Sequence, residues 1–405
     1  MSQECNELLV ETQPDIVRKA HEQFLAAGAD VIETDSFGGA RHTLAEHGLG
    51  EKCFELNRAA AEIARRAVRE YGTTARPRFV AGSVGPGSKL PSLGHITFAE
   101  LVASFRPQVA GLLAGGVDCL VLETSQDLLQ LKAAIAASLD AFESAGHTVP
   151  VIAQVTLDEH GRTLTGADIA AVLAVLEPYP VAAIGLNCGL GPEGMTAAVR
   201  YLAGHSSKLL SAMPNAGLPR SKGGQAVYDL SPEEFAARMR RLATGPGLAI
   251  AGGCCGTTAE HICRLKAALA GVAPKRPGAR VPRVASPFSA QELRVEPRPL
   301  FIGERTNASG SKRFRERLLA RDFEGMVAVA QEQKREGAQV MDLSVAAAGG
   351  DEPADMGRLA ALLNSGLDLP VMVDSTRYEA VEAALERLAG RCIVNSVNLE
   401  DRERA

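Results

Sequence analysis

The sequence predicts an α/β protein: a TIM-type (β/α)8 barrel that lacks its first strand, followed by an incomplete second barrel. Three observations support this prediction. The chain has 405 residues, more than one ordinary hydrophobic core accommodates. Short apolar runs alternate with amphipathic stretches, which indicates βα units and parallel sheets. A proline-rich stretch divides this alternation into two parts. A doubly wound open sheet would alternate in the same way, but the Gly-rich phosphate loop typical of that fold does not follow the first predicted strand.

The first part of the chain, residues 1–272, carries seven predicted strands, one fewer than a closed barrel needs. The strand-like runs are 30–34, 79–83, 118–123, 150–155, 182–187, 208–212 and 247–251. Helical periodicity is clearest at 55–70, 97–115, 126–143, 191–204, 231–243 and 257–270. Because the chain opens on a helical stretch at 14–27, we expect the missing strand to be the first one.

The second part begins after residues 273–299, a stretch rich in proline and arginine that we interpret as an interdomain linker. Residues 300–405 then carry four more βα-type units. Their predicted strands are 300–303, 338–343, 370–373 and 391–396, and their helices lie near 311–319, 322–336, 354–366 and 376–388. Four units make half a barrel with an open sheet edge. We therefore expect this chain to be a piece of a longer protein.

Composition narrows the classes of function. The formal net charge is -5, with 43 basic and 48 acidic residues, so the positive field that nucleic-acid binding requires is absent. The N-terminal sequence has neither a basic region nor an apolar signal segment, which predicts a cytoplasmic protein without membrane attachment. The eight cysteines are too few for a disulfide scaffold and indicate reduced thiols that pack or bind metal. The histidines form no metal-ligand pattern and are interpreted as structural.

Three cysteines follow strand ends. Cys254 and Cys255 come after the run LAIAGG, and Cys188 follows IGLN. In a barrel these positions lie at the C-terminal mouth, where three thiolates can hold a zinc ion and leave one coordination position free. Small cysteine side chains beside glycines can equally be simple packing residues, and the residues alone leave both interpretations open.

Asn215 lies in the segment MPNAGLP, just after the predicted strand at 208–212. It is expected to face the same mouth, where its amide could fill the fourth metal position in the absence of substrate. The alternative is an ordinary Asn-Ala-Gly turn.

Five segments in order, VIETDSF, LVLETSQD, GLNCGLGPEGM, PNAGLP and GGCCGTT, carry a family resemblance. Together they resemble the homocysteine-binding domain of the cobalamin-dependent methionine synthases, relatives of the betaine- and S-methylmethionine-dependent homocysteine methyltransferases. The resemblance covers about residues 4–272. The first strand of that family carries an Asp-Gly-Gly-Met-Gly-Thr type segment, and nothing in this chain corresponds to it.

This resemblance implies specific roles for the residues of the mouth. Cys188, Cys254 and Cys255 would hold zinc, and the homocysteine sulfur would become the fourth ligand. Glu123 would help to hold the ammonium group of homocysteine, and Glu33 would shape the same mouth. From the residues alone, Glu123 is also compatible with a helix N-cap or a solvated carboxylate.

The second part resembles the pterin-binding domain shared by methionine synthases, corrinoid-dependent methyltetrahydrofolate methyltransferases and dihydropteroate synthases. The segments that carry this resemblance are FIGERTNASGSKRF, GAQVMDLS, PVMVDST and CIVNSV. Carboxylates and amides at strand ends suit the donor and acceptor edge of a pterin. The residues that the resemblance places on the pterin are Glu304, Asn307, Asp342, Asp374 and Asn395. Ser344 stands where the family has Asn, and Asp374 is also a candidate N-cap for the helix near 376.

The two resemblances imply one reaction, in which a zinc-activated homocysteine thiolate takes a methyl group from methylcobalamin and gives methionine. Methyltetrahydrofolate would remethylate the cobalamin. The Asp-x-His-x-x-Gly signature of a cobalamin-binding domain is absent from this sequence, so that domain is expected elsewhere in the polypeptide or in another protein. Two alternatives stay open: a homocysteine methyltransferase that uses betaine or S-methylmethionine, and an inactive fragment that retains zinc.

Overall fold

The structure, a computed structural model, describes residues 5–223, 225–275, 278–347 and 349–396. Fifteen strands lie in these ranges: β1 Val31–Glu33, β2 Phe79–Val84, β3 Cys119–Ser125, β4 Val151–Val155, β5 Ala183–Asn187, β6 Leu209–Met213, β7 Pro219–Lys222, β8 Gln225–Tyr228, β9 Ile250–Ala251, β10 Arg283–Ala285, β11 Ala290–Glu292, β12 Ile302–Asn307, β13 Val340–Ser344, β14 Val371–Asp374 and β15 Ile393–Asn395. The last predicted residues of the second part, 397–405, lie outside the described residues.

Fourteen α-helices occupy the same ranges. They are α1 Leu9–Thr12, α2 Pro14–Ala26, α3 Arg41–Ala45, α4 Cys53–Tyr71, α5 Phe98–Ala114, α6 Leu128–Ala145, α7 Ile169–Leu176, α8 Thr196–His205, α9 Pro232–Leu242, α10 Ala259–Ala268, α11 Lys312–Leu319, α12 Phe323–Arg335, α13 Glu352–Gly366 and α14 Tyr378–Leu385. A helix that could cross a membrane is absent from the described ranges, since none combines enough length with enough apolar character.

The first sheet has seven parallel strands in the order β1-β2-β3-β4-β5-β6-β9. Each neighbouring pair is connected through at least one helix, so the predicted α/β class with a parallel sheet is confirmed. Strands β1 and β9 are the two edges of this sheet. Because all seven strands run in the same direction, the loops that follow β3, β5, β6 and β9 all leave from one end of the sheet.

Apolar side chains on both faces of the strands hold this sheet in place. All five residues of β4 are buried, as parallel strands covered on both sides require. Phe105 of α5 is fully buried in the main core. Helix α5 also packs closely on α4, since a Cβ at Gly111 would lie 2.4 Å from the carbonyl oxygen of Phe54. Glycine at this position therefore sets the distance between the two helices.

The second sheet is parallel, in the order β12-β13-β14-β15, with helices α11–α14 in its connections. It has its own apolar core, which includes Phe314, Met326 and Leu359. Lys132 of α6 links it to the first part, because its partly buried ammonium group donates to the carbonyl oxygens of Leu388 (2.9 Å) and Gly390 (2.6 Å).

The segment predicted as a linker contains ordered structure. Strands β10 and β11 form an antiparallel hairpin within residues 273–299. Ala285 of this hairpin is buried, and its N–H donates to the carbonyl oxygen of Arg391 at 3.0 Å. The hairpin therefore contacts the loop that precedes β15, although its sequence shows no sustained periodicity.

Helix α7 was not predicted from the sequence. Its eight residues, IAAVLAVL, are apolar on every side and six of them are buried, so the two-sided pattern of an amphipathic helix is missing. The helix begins after Asp168, whose side chain accepts a hydrogen bond from the N–H of Ala171 (2.8 Å). This N-cap is the local signal that could have identified it.

Candidate metal centre

Three cysteine sulfurs lie together at the C-terminal end of the first sheet. The Sγ atoms of Cys188, Cys254 and Cys255 all lie within 4.8 Å of one another. The separations are 3.8 Å between Cys188 and Cys255 and 4.0 Å between Cys254 and Cys255. Sulfurs bound to one tetrahedral zinc ion at about 2.3 Å are separated by about 3.8 Å. The spacing and the soft donor set therefore fit a zinc ion with three protein ligands.

The backbone of β5 and β6 orients Cys188. This residue directly follows β5 and has a φ of 57°, in the left-handed region that residues other than glycine rarely adopt. Its N–H donates to the carbonyl oxygen of Met213 at 3.1 Å, which extends the pairing of the two strands by one bond. This turn ends the strand and lets the side chain face the other two cysteines. Such a backbone conformation is typical of functional sites.

The loop after β6 holds Cys254 and Cys255 in place through hydrogen bonds. Cys254 N–H donates to the carbonyl oxygen of Pro214 at 2.8 Å, and Ala216 N–H donates to that of Cys255 at 2.9 Å. Between these bonds, Asn215 Oδ1 accepts from Cys255 N–H at 3.1 Å. Asn215 is buried, and its side-chain amide contributes to the lowered pKa of Cys188.

The three thiols shift one another's pKa values in opposite directions. Hydrogen bonding from the Cys254 thiol is the largest of the effects that lower the pKa of Cys188 to about 5, although burial opposes it. The same contact raises the pKa of Cys254. Burial raises the pKa of Cys255, and the charge of Cys188 adds to that effect. One sulfur of the group thus carries a negative charge readily, whereas a second and third require a cation.

Glu123 lies in β3, with only 7% of the residue exposed. Its Oε1 accepts from the Ser83 hydroxyl (2.6 Å) and its Oε2 accepts from Asn187 Nδ2 (3.0 Å). Burial raises the pKa of this carboxyl. Glu123 is therefore neither a solvated carboxylate nor a helix N-cap.

Asn187 connects this carboxylate to the cysteine cluster. Its Nδ2 donates to Glu123 and its Oδ1 accepts from the N–H of Thr124 at 2.7 Å, while Cys188 follows it in the chain. Sequence reasoning missed Asn187 and Ser83. Both are polar residues within otherwise apolar strands, and this was the available signal.

Glu33 lines the interior cavity, which measures about 1470 Å³ and lies against the two edge strands β1 and β9. Cys254 and Met213 line the same cavity. Burial raises the pKa of Glu33 to about 8, and the charge of Glu123 adds to that shift. The cavity is thus lined by one cysteine of the cluster and by a carboxyl group whose raised pKa favours its protonated form near neutral pH.

A second polar cluster lies at the strand ends of the other sheet. Buried Asn307 donates through Nδ2 to Asp342 Oδ2 and to Asp374 Oδ2, both at 2.9 Å. Asp342 is buried, and its other carboxylate oxygen has no hydrogen-bond partner. Burial raises its pKa, and the charges of Asp374 and Glu304 contribute. Asp374 does not cap a helix, since α14 begins at Tyr378 with Arg377 as its N-cap.

The remaining predicted residues of this cluster are placed by strand register. Asn395 of β15 is the partner of Asp374, and Ser344 of β13 is the partner of Asn307. Glu304 of β12 is exposed. The structure therefore groups Asn307, Asp342 and Asp374 tightly and leaves the Glu304 side chain at the surface.

Two family profiles match the chain. Residues 1–269 match the family described as homocysteine S-methyltransferase, and residues 303–405 match the family described as pterin binding enzyme. The methionine synthase of Mycobacterium tuberculosis (strain ATCC 25618 / H37Rv) is 43% identical over 400 residues, covering 98% of this chain and 33% of that protein. The methionine synthase of Mycobacterium leprae (strain TN) is 42% identical over 403 residues, with the same coverage. The chain thus spans about a third of the length of these curated relatives.

Among solved structures, the chain is similar to the homocysteine methyltransferase MmuM from Escherichia coli. The metallated form matches with a TM-score of 0.55 and 28% identity, over 66% of this chain and 90% of that one. The oxidized form matches with a TM-score of 0.51 and 27% identity, over 64% of this chain and 86% of that one. The α/β fold of the present chain is therefore that of a homocysteine methyltransferase.

The raised pKa of Glu33 predicts a pH-dependent stability. Between the pKa of an unfolded glutamate, about 4.5, and the folded value of about 8, the unfolded state has lost a proton that the folded state keeps. The folded state is therefore penalised by up to about 1.4 kcal/mol for each pH unit as the pH rises through this window. We expect Glu33→Gln to unfold less easily than the wild type at pH 8 and to lose this advantage near pH 5.

Urea denaturation of both proteins across this window measures the difference. The exposed Glu159→Gln serves as the control and should follow the wild type throughout. If the free energy of unfolding changed with pH by the same amount in Glu33→Gln and in the wild type, the raised pKa of Glu33 would be contradicted.

Proposed function

The chain belongs to the homocysteine S-methyltransferase family, and on that premise we propose that it transfers a methyl group to the sulfur of homocysteine, giving methionine. The observation that carries the proposal is the convergence of the three cysteine sulfurs within 4.8 Å of one another. One of these ligands, Cys254, lines the large interior cavity, so an incoming thiol can reach the group. A methyl acceptor of this class requires such access to a metal with a free position.

Cys188, Cys254 and Cys255 would hold a zinc ion, which when bound supplies the positive charge that keeps the acceptor thiol deprotonated at neutral pH. The chain's own contribution is to fix these ligands. Asn215 accepts a hydrogen bond from the N–H of Cys255, so it holds the backbone of this ligand in place, and its amide contributes to the lowered pKa of Cys188. In this role Asn215 orients the cysteine ligands and need not itself be the fourth ligand of the zinc ion.

We further propose that Glu123 and Glu33 bind the ammonium group of homocysteine. Each carboxyl is buried enough to have a raised pKa, and the charge of Glu123 contributes to the shift of Glu33. A substrate cation between them would favour their ionised forms. Ser83 and Asn187 hold the Glu123 carboxylate in one orientation, so the substrate meets a fixed acceptor.

The proposed methyl donor is methyltetrahydrofolate, acting through a cobalamin bound outside this chain. The match of residues 303–405 to pterin binding enzymes and the similarity to two methionine synthases support this donor over betaine or S-methylmethionine. Glu304, Asn307, Asp342, Asp374 and Asn395 are the proposed pterin contacts. The unpartnered oxygen of buried Asp342 supports the proposal, because an acceptor in that position suits the amino and ring N–H groups of a pterin.

We propose that residues 1–272 and 300–405 are two incomplete (β/α)8 barrels joined by the linker 273–299. In the first, β1 and β9 are edge strands, and the cavity of about 1470 Å³ lies against both. An eighth strand seated between them would close the barrel and reduce the opening. The cytoplasmic location stays a prediction.

The zinc ligands predict a direct test. Cys254→Ser replaces a thiolate with a hydroxyl, a far weaker ligand for zinc, and we expect the purified variant to contain no stoichiometric zinc. Cys263→Ser is the matched control, because Cys263 is an exposed thiol on α10 outside the cluster. Elemental analysis after dialysis should give one zinc per chain for the wild type and the control. Full zinc retention by Cys254→Ser would refute the ligand assignment.

The proposed role of Glu123 predicts that its substitution selectively weakens homocysteine binding. Glu123→Gln keeps the shape of the side chain but removes the charge, so we expect homocysteine to bind the zinc-loaded chain at least about tenfold more weakly. Zinc content should stay unchanged. Calorimetric titration measures the affinity, and 4-mercaptobutyrate, which lacks the amino group, should bind the variant and the wild type alike. Equal homocysteine affinity in the two proteins would contradict the assignment of Glu123.

A further inference from the structure

A bulge in β3 takes Glu123 out of the regular strand pairing. Strand β3 pairs with β4 regularly up to Leu122, and the pairing resumes at Ser125 after a register shift. Thr124, inside this interruption, has a φ of 57°, in the left-handed region that β-branched residues rarely adopt. Such a conformation persists only where the surrounding structure holds it. The position of Glu123 therefore depends on what holds Thr124.

The side chain of Asn187 in β5 supplies these contacts. Its Oδ1 accepts from the N–H of Thr124 at 2.7 Å, and its Nδ2 donates to Thr124 Oγ1 at 2.7 Å. The same Nδ2 donates to Glu123 Oε2 at 3.0 Å. Asn187 is only 1% exposed, so water does not compete for these bonds. One buried amide thus replaces the strand pairing that the bulge interrupts.

The backbone of Asn187 is held as well. Its carbonyl oxygen accepts from the Thr156 hydroxyl at 2.9 Å, and the N–H of Thr156 donates to the carbonyl oxygen of Ser125 at 3.0 Å. Thr156, directly after β4, therefore joins the strands on its two sides. The residue after Asn187 is Cys188, which also has a φ of 57° and belongs to the three-cysteine cluster. A single peptide unit thus separates the residue that holds Glu123 from a proposed metal ligand.

We propose that Asn187 is a positioning residue that sets the spacing between the Glu123 carboxylate and the Cys188 sulfur, and thereby selects the acceptor thiol by the length of its side chain. This inference rests on the proposed function, because it takes Glu123 as the ammonium contact and Cys188 as a zinc ligand. It goes beyond that function by naming what distinguishes homocysteine from cysteine, which is shorter by one methylene. A shorter amino acid cannot reach both groups while their separation is fixed.

Ser83 provides a matched comparison, because it holds the same carboxylate from another side. Its hydroxyl donates to Glu123 Oε1 at 2.6 Å, and its N–H donates to Thr34 Oγ1 at 3.0 Å. Among the described residues, the hydrogen bonds of Ser83 do not reach β5, the strand that leads to Cys188. Ser83 therefore orients Glu123 without connecting it to the cysteine cluster, whereas Asn187 does both.

The test compares the affinities of homocysteine and cysteine for the zinc-loaded chain by calorimetric titration, with zinc content measured after each titration. We expect the wild type to bind homocysteine at least about tenfold more tightly, the scale of one methylene in a fitted site. In Asn187→Ser, whose hydroxyl is too short to make the three bonds, the ratio should fall to about threefold or less. Ser83→Ala should weaken the binding of both amino acids and keep their ratio.

Thr156→Val is a second, milder variant. It removes only the hydroxyl that donates to the carbonyl oxygen of Asn187, so the ratio should fall in the same direction by a smaller factor. If Asn187→Ser does not fold, the ratio measured for Thr156→Val decides the question.

The outcomes separate this inference from the proposed function. An unchanged ratio in Asn187→Ser, or a wild type that binds both amino acids equally, would overturn the role of Asn187 and leave the proposed function standing. The same fall of the ratio in Ser83→Ala would also overturn it, because mobility of Glu123 alone would then explain the effect. Loss of zinc from a folded Asn187→Ser would assign the residue to the metal site alone. A wild type that binds neither zinc nor homocysteine would overturn both proposals.

Discussion

The site depends on the repulsion between negative charges on three cysteine sulfurs, which lie within 4.8 Å of one another. Parallel strands bring Cys188 and the pair Cys254–Cys255 to the same end of the sheet, although 66 residues of sequence or more separate them. A first negative charge is stabilised there by hydrogen bonds from the neighbouring thiols, as the low pKa of Cys188 indicates. Further charges need a cation, and soft sulfur ligands with tetrahedral spacing favour zinc among common divalent ions.

The cysteine sulfurs lie between a network of hydrogen bonds and a cavity. Asn215 and the loop after β6 fix the cysteine backbone through several hydrogen bonds, and Asn187 extends that network to Glu123. Cys254 and Glu33 line a cavity of about 1470 Å³. A cysteine of the cluster and a carboxyl group on the wall of one cavity suit the proposed substrate, which has a thiol at one end and an ammonium group at the other.

Much of this site was predictable from the residues that directly follow the apolar runs of the strands. A cysteine directly after an apolar run is expected at the mouth of a parallel sheet, and this reasoning pointed to Cys188, Cys254 and Cys255, whereas Glu123 was assigned from the family resemblance. Support residues gave weaker signals. Asn187 contributes one amide and Ser83 one hydroxyl inside otherwise apolar strands. Their roles follow from contacts across the fold, which sequence patterns do not encode.

The elements that sequence patterns missed have the same explanation. Helix α7 is apolar on every face because it is enclosed between the sheet and other elements, so it has no amphipathic signature. The β10–β11 hairpin looks like a linker because its strands have three residues each. It gains its stability from pairing and from contact with the loop before β15, both of which are tertiary.

X-ray absorption at the zinc edge tests the metal centre most directly. In the zinc-loaded chain we expect three sulfur ligands at about 2.3 Å together with one lighter ligand. On addition of homocysteine the lighter ligand should be replaced by a fourth sulfur. Fewer than three sulfur ligands in the protein alone, or a spectrum that homocysteine leaves unchanged, would contradict the assignment of this site as a thiol-activating zinc centre.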